Sequence, residues 1–147
     1  MRNGKDFTFD YAHLLKDAGL VAADAAATVD SVAKIVDLGE GRVDARVIID
    51  ATAVEVDSSN ESYNIVCEFS NDSGFASGIV QGPALCLGDA SATAMAAADT
   101  DNGVGRYELP FTNEINGTTY RYMRLYTDVT GTIATGVNYS AFIAKAA

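Results

Sequence analysis

The sequence predicts an all-β fold, an antiparallel sandwich or barrel of about eight strands. Three observations predict it. Short runs in which apolar and polar residues alternate recur along most of the chain. Gly and Asn turn signals separate them. No crossover helix with a 3.6-residue apolar stripe lies between them, which excludes a parallel α/β sheet.

The elements follow in order. Phe7, Phe9 and Tyr11 alternate with Thr8 and Asp10 in a strand-like period of two. Residues 13–20 and an Ala-rich stretch over 21–28 come next. Alanine favours helix, but Gly19 and the aspartates break the pattern. Residues 12–30 therefore read as an irregular or extended arm with room for a short helix. Val32, Ile35, Val36 and Leu38 form a short strand that stops at the turn signal of Gly39, Glu40 and Gly41. The β-branched residues of 43–56 suit a half-buried pleat. In 62–70, Tyr63, Ile65, Cys67 and Phe69 share one face. A short strand is predicted over 84–88, then a long polar loop over 89–103. Residues 106–111 form a strand, and Pro110 places it at an edge or a strand end. Asn116-Gly117 is a hairpin turn signal. In 119–127, Tyr120, Tyr122 and Tyr126 face one way and Arg121, Met123 and Leu125 the other. The last strand covers 137–144, with Val137, Tyr139, Ala141 and Ile143 opposite Asn138, Ser140 and Phe142. Residues 1–30 are read as an N-terminal strand and arm and residues 31–147 as the sandwich, within one domain overall.

Composition narrows the function. A chain of 147 residues buries roughly 68–70% of its unfolded surface, enough for a core without disulfides or metal. Ten Lys and Arg stand against twenty Asp and Glu, a net charge of −10. Phosphate backbones bind through clustered Lys and Arg, so no nucleic-acid partner is expected. The same charge argues against anionic membranes, and no apolar run of about 18 residues exists to span one. The N-terminus carries charge without an apolar h-region, so synthesis in a cytoplasm is expected. Cys67 and Cys86 sit in apolar contexts and are expected to be buried thiols acting as small hydrophobes.

No catalytic constellation emerges, and no cofactor is expected. His13 is the only histidine, and no Gly-x-Ser-x-Gly elbow accompanies it. Asp72-Ser73-Gly74 has the letters of an aspartic-protease site, but that chemistry needs two carboxylates in an apolar cradle, and the surroundings read as a hairpin turn. Asp99 and Asp101 resemble the opening of a calcium loop. An EF-hand needs Gly at its sixth position and Glu at its twelfth, and Gly103 and Pro110 do not meet that spacing, so a polar turn is the better reading. Zinc-type Cys/His clusters are lacking. The Asn-x-Ser/Thr triplets at Asn60, Asn71, Asn116 and Asn138 read as loop and strand polar residues. One cluster stands out: Tyr107, Tyr120, Tyr122, Tyr126 and Tyr139 lie in the C-terminal third. Tyrosine offers area with a polar tip, so this face can serve packing, a subunit contact or a ligand.

Two segments carry a resemblance. One is Ala25-Ala-Ala-Thr-Val-Asp-Ser-Val-Ala-Lys-Ile-Val-Asp-Leu-Gly39, followed by Gly41-Arg42. The other is Leu109-Pro-Phe-Thr-Asn-Glu114, then Tyr120-Arg-Tyr-Met-Arg-Leu-Tyr126 and Val129-Thr-Gly-Thr-Ile-Ala-Thr-Gly136, ending in Ala141-Phe-Ile. In their order and spacing, from about residue 7 to the C-terminus, these resemble the capsid cement (decoration) proteins of tailed bacteriophages, of the Bordetella-phage type. The opening Lys-Asp-Phe-Thr-Phe-Asp-Tyr departs from that pattern. The resemblance implies a jelly-roll β-sandwich that forms a homotrimer on the outer surface of the mature head, bridging neighbouring capsomers.

The expectation is therefore a structural virion protein, not an enzyme, made in the bacterial host's cytoplasm. Its expected partners are the major capsid protein and itself. Capsid contacts are expected from Phe7, Phe9, Tyr11, Leu14, Leu15 and Leu20, and subunit contacts from Tyr120, Tyr122 and Tyr126. The alternative expectation is a virion-mounted carbohydrate-binding sandwich with the tyrosine face as platform.

Overall fold

A computed structural model describes residues 11–88 and 103–144. Eight principal strands make the fold: β1 (Leu14–Lys16), β2 (Ala25–Ala26), β3 (Asp44–Val54), β4 (Ser62–Ser70), β5 (Val80–Gly88), β6 (Gly105–Thr112), β7 (Tyr122–Thr130) and β8 (Val137–Ala144). No α-helix occurs among the described residues; the one helical turn is 3₁₀, at Tyr11–His13.

The strands form two antiparallel sheets. One runs β1-β8-β3-β6 and the other β2-β7-β4-β5. From β3 onward the chain changes sheet at every connection except the β4–β5 hairpin. The resulting orders, 1-8-3-6 and 2-7-4-5, are those of a jelly roll, two interleaved Greek keys. The all-β antiparallel sandwich expected from the sequence is the observed fold.

The core lies between the sheets and is built by strand alternation. Tyr63, Ile65, Cys67 and Phe69 of β4 face Val137, Tyr139, Ala141 and Ile143 of β8 across it, and all eight are buried. Val47, Ile49, Met123, Leu125 and Leu87 complete it. Burying one such large side chain contributes about 1.5–3 kcal/mol. A smaller apolar cluster occupies the outer face of the first sheet, where Ile48, Phe142 and Ala144 meet Leu14. Ion pairs flank it, Arg46–Glu108 and Arg106–Asp50, each at 2.6 Å.

Three local expectations change. The strand expected over 84–88 begins at Val80, because Gly82 and Pro83 fall on an edge strand beside a register shift between Val66 and Glu68, where a missing donor is tolerated. Pro110 is likewise on an edge strand, β6, as expected. The strand expected from 119 begins at Tyr122. Before it, the buried Asn113 amide ties the connection shut: it donates to the Gly41 and Tyr120 carbonyls and accepts from the Val43 N–H. Cys86 is only half-buried. It pairs in register with Asn64, its Sγ 3.8 Å from Ser62 Oγ, while Cys67 points into the core. Both thiols are free, and burial pushes that of Cys67 up to about 12.

The segment read as an irregular arm is extended and docked. It supplies an edge strand to each sheet, and this is what positions the candidate surfaces.

Candidate interaction surfaces

The first surface is the strap formed by residues 11–38. Leu14 and Leu15 are neighbours in β1, so the strand period sends them to opposite faces. Leu15 is fully buried in the core, and Leu14 joins the outer cluster with Ile48 and Phe142. A register shift between Leu14 and Lys16 turns the next side chain inward as well. The buried Lys16 ammonium donates to the carbonyls of Asp17, Gly19 and Tyr139 at 2.9–3.0 Å and lies 4.6 Å from the Tyr139 ring centre. Its three donors are thereby satisfied, and burial lowers its pKa from the ordinary lysine value.

Beyond Lys16 the strap crosses from one sheet to the other. The Gly19 N–H meets Asn138 Oδ1 at 2.9 Å, and Leu20–Val21 pairs with Asn138 and Val137 of β8. Asp24 then accepts the Val129 N–H at 2.7 Å, and β2 pairs with Tyr126 and Thr127 of β7. Gly136 permits this crossing. Its φ is +92°, and a Cβ there would overlap the Val21 carbonyl oxygen. A small hairpin follows, Thr28–Val29 against Val32–Ala33. Its turn residues Asp30 and Ser31 both have positive φ, +52° and +64°, a conformation that glycine or asparagine adopts more readily. Outside groups brace the turn: Tyr11 donates its hydroxyl to the Asp30 carboxylate at 3.0 Å, and Asp17 accepts the Asp30 N–H at 2.8 Å. The Asp30 carboxylate raises the Tyr11 pKa.

The strap leaves large apolar side chains in solvent: Tyr11 is 59% exposed, Leu20 58% and Val32 68%. Of the expected capsid-contact residues, Tyr11 and Leu20 are therefore on the surface, but at different points of the strap. Leu14 is half-buried. Leu15 is a core residue and presents nothing to a partner, because the strand alternation that exposes one neighbour buries the other. Phe7 and Phe9 lie outside the described residues. Val32, which sequence reasoning did not single out, is among the most exposed large apolar side chains; its position beside an Asp-Ser turn in a short hairpin was the available signal.

The second surface is the outer face of β7. Tyr122, Arg124 and Tyr126 alternate with the buried Met123, Leu125 and Thr127. Arg124 pairs with Glu68 of β4 at 2.7 Å, both side chains largely shielded. Its guanidinium carbon lies 4.6 Å from the Phe75 ring and 5.7 Å from that of Tyr126. Phe75 is buried at φ +53°, an uncommon state for an aromatic residue. Asp72 holds it there by accepting the Gly74, Ala76 and Ser77 N–H groups at 2.9–3.2 Å. Tyr122 sits under Arg121, which pairs with Asp37 at 2.9 Å. Tyr122 and Tyr126 thus share one half-exposed face, while Tyr120 precedes the strand and packs against the core. Tyrosine and arginine together are the residue types enriched where proteins meet.

The chemistry-bearing groups are spent on structure. Asp72 caps its own loop, and those N–H bonds lower its pKa. Glu55 accepts from Gly136, Thr135 and Ala134, which likewise holds its carboxyl below the ordinary range. Glu61 accepts the Ser58 and Asn60 N–H groups. His13 is half-buried in the 3₁₀ turn. No group of three or more His, Cys, Asp or Glu side chains is placed to hold a metal among the described residues. Asp99 and Asp101 lie outside them. No known protein family matches the sequence, and no curated protein matches it significantly.

Proposed function

We propose that the chain is a structural virion protein, a cement protein that binds the outer surface of a mature phage head and bridges neighbouring capsomers. The observation that supports this best is a jelly roll crossed by a strap with exposed apolar side chains, in a chain whose segments resemble the capsid cement proteins. A strap of this kind offers contact area without chemistry. In a homotrimer it would be presented three times, so weak single contacts would combine through avidity. The partners in this reading are the major capsid protein, through Tyr11, Leu20 and the strap hairpin, and two further copies of the chain, through the face of Tyr122 and Tyr126. The experiment is co-sedimentation of the purified protein with cement-free expanded shells, with unexpanded shells as control. Saturable binding to the expanded shell alone is expected. Binding to neither form would overturn the reading.

A second reading is a virion-mounted carbohydrate-binding module. The half-exposed Tyr122 and Tyr126 flanking Arg124 favour it, since sugars stack on aromatic faces beside polar groups. Glycan binding abolished by Tyr126→Ala, with the trimer intact, would select it over the cement role.

A further inference from the structure

Of the six described asparagines, the fold tethers four by side-chain hydrogen bonds, holds Asn64 within a strand and leaves Asn116 loose in a turn. The Asn60 amide exchanges hydrogen bonds with Thr132 at 3.0 and 3.1 Å. Asn71 accepts the Arg121 N–H at 2.9 Å and donates to the Thr119 carbonyl. Asn113 makes three bonds and is buried, and Asn138 accepts the Gly19 N–H. Asn64 sits inside β4 before the β-branched Ile65. Asn116 is different. It is exposed, and its side chain makes no hydrogen bond among the described residues. Gly117 follows it, with nothing within 4 Å of the place a Cβ would take. The two residues have φ +52° and +78°, the left-handed pair of a two-residue hairpin turn. The ladder they close has only two residue pairs, Glu114 with Thr119 and Ile115 with Thr118, and belongs to neither main sheet. Local opening of so small a unit takes little free energy.

We propose that Asn116 is a site of spontaneous deamidation. When the turn opens, the Gly117 backbone nitrogen attacks Asn116 Cγ, unshielded by any side chain of its own. The N–Cγ bond forms, the Cγ–Nδ2 bond breaks, and the side-chain nitrogen leaves as ammonia with the proton from the Gly117 amide. The five-membered succinimide is opened by water at either carbonyl. One opening gives aspartate and the other isoaspartate, and each adds one negative charge. In the isoaspartyl product the main chain runs through Cβ and Cγ, so a two-residue turn gains a backbone atom. The pairing of Ile115 with Thr118 cannot then be kept, and Ile115, which packs against the core, is pulled from its place. The new carboxylate also stands close to Glu114, which already uses Arg42 at 3.9 Å. None of this depends on the capsid reading.

The test is a time course of the full-length protein in mildly alkaline buffer, followed by peptide mapping and isoaspartyl methyltransferase labelling. Conversion at Asn116 is expected to run at least about tenfold faster than at Asn60, Asn71, Asn113 or Asn138, a barrier difference of about 1.4 kcal/mol. Methyl-accepting product is expected in the peptide spanning Asn116 and is lost from it in Asn116→Gln. Conversion at any of those four before Asn116, or at the same rate, would overturn the proposal.

Discussion

Leu15 and Leu20 stand five residues apart on one strap, yet the fold gives them opposite tasks. Leu15 is 0% exposed and packs in the core between the sheets, whereas Leu20 is 58% exposed. Truncation to alanine should therefore separate stability from surface contact. For Leu15→Ala, the lost transfer free energy adds to a cavity that two sheets cannot close, and comparable core truncations cost about 2–5 kcal/mol. About 3 kcal/mol is expected here. At roughly 2–4 °C per kcal/mol for a domain of this size, the melting temperature should fall by about 6–12 °C. For Leu20→Ala the change should stay within about 0.5 kcal/mol, as for surface substitutions generally. Urea titration followed by far-UV circular dichroism, with a common m-value for the three proteins, reads both. In the shell-binding assay the order should reverse, with Leu20→Ala weakened and folded Leu15→Ala binding as wild type. A loss below about 1 kcal/mol for Leu15→Ala would mean that the strap is not integral to the core. Equal losses in the two variants would refute the burial argument itself.

Three further predictions test other parts of the design. Gly136→Ala should cost about 2–4 kcal/mol: roughly 1–2 from the left-handed backbone, and the rest from parting Val21 from β8, whose hydrogen bonds contribute about 0.5–1.5 each. Amide exchange at Leu20 and Val21 should quicken, and unchanged exchange would contradict the contact. Removing one partner of the shielded Arg124–Glu68 pair should cost about 3–5 kcal/mol, while the double variant Arg124→Met/Glu68→Leu should recover most of it; a double-mutant cycle without coupling would refute the pairing. Glu55 and Asp72 have pKa values lowered by backbone N–H groups, so their stabilisation is full above the unfolded-state pKa, near pH 4, and is lost as pH falls through the folded-state values. Stability should drop on acidification, and Glu55→Gln should flatten that drop; parallel pH profiles for variant and wild type would count against the account.

What could be read from sequence was what local pattern decides. The alternation of Tyr63, Ile65, Cys67 and Phe69, the edge position of Pro110 and the turn at Asn116-Gly117 all follow from residues within a few positions of one another. What could not be read depends on distant partners. Ala25 and Ala26 have little strand preference of their own and become a strand because β7 offers them an edge. Leu14 and Leu15 look alike in the sequence, and only the register against β8 decides which one enters the core. The stack of Phe75 on Arg124, itself paired with Glu68, joins three elements, with Arg124 and Glu68 separated by 56 positions, and no spacing rule announces it. The tyrosines show both cases: their parity was legible, while the exclusion of Tyr120 from β7 was set by the buried Asn113.

The two flanks of the sandwich are finished differently. On one, the strap occupies the borders of both sheets. On the other, β5 and β6 end the sheets, and each carries a proline, Pro83 and Pro110. A strand without its full row of N–H groups is a poor template for another chain. Copies of this protein are thus discouraged from adding to one another sheet by sheet, the head-to-tail growth that runs into fibres because it never closes on itself. Association must instead use faces and loops, whose geometry can complete a ring and then stop.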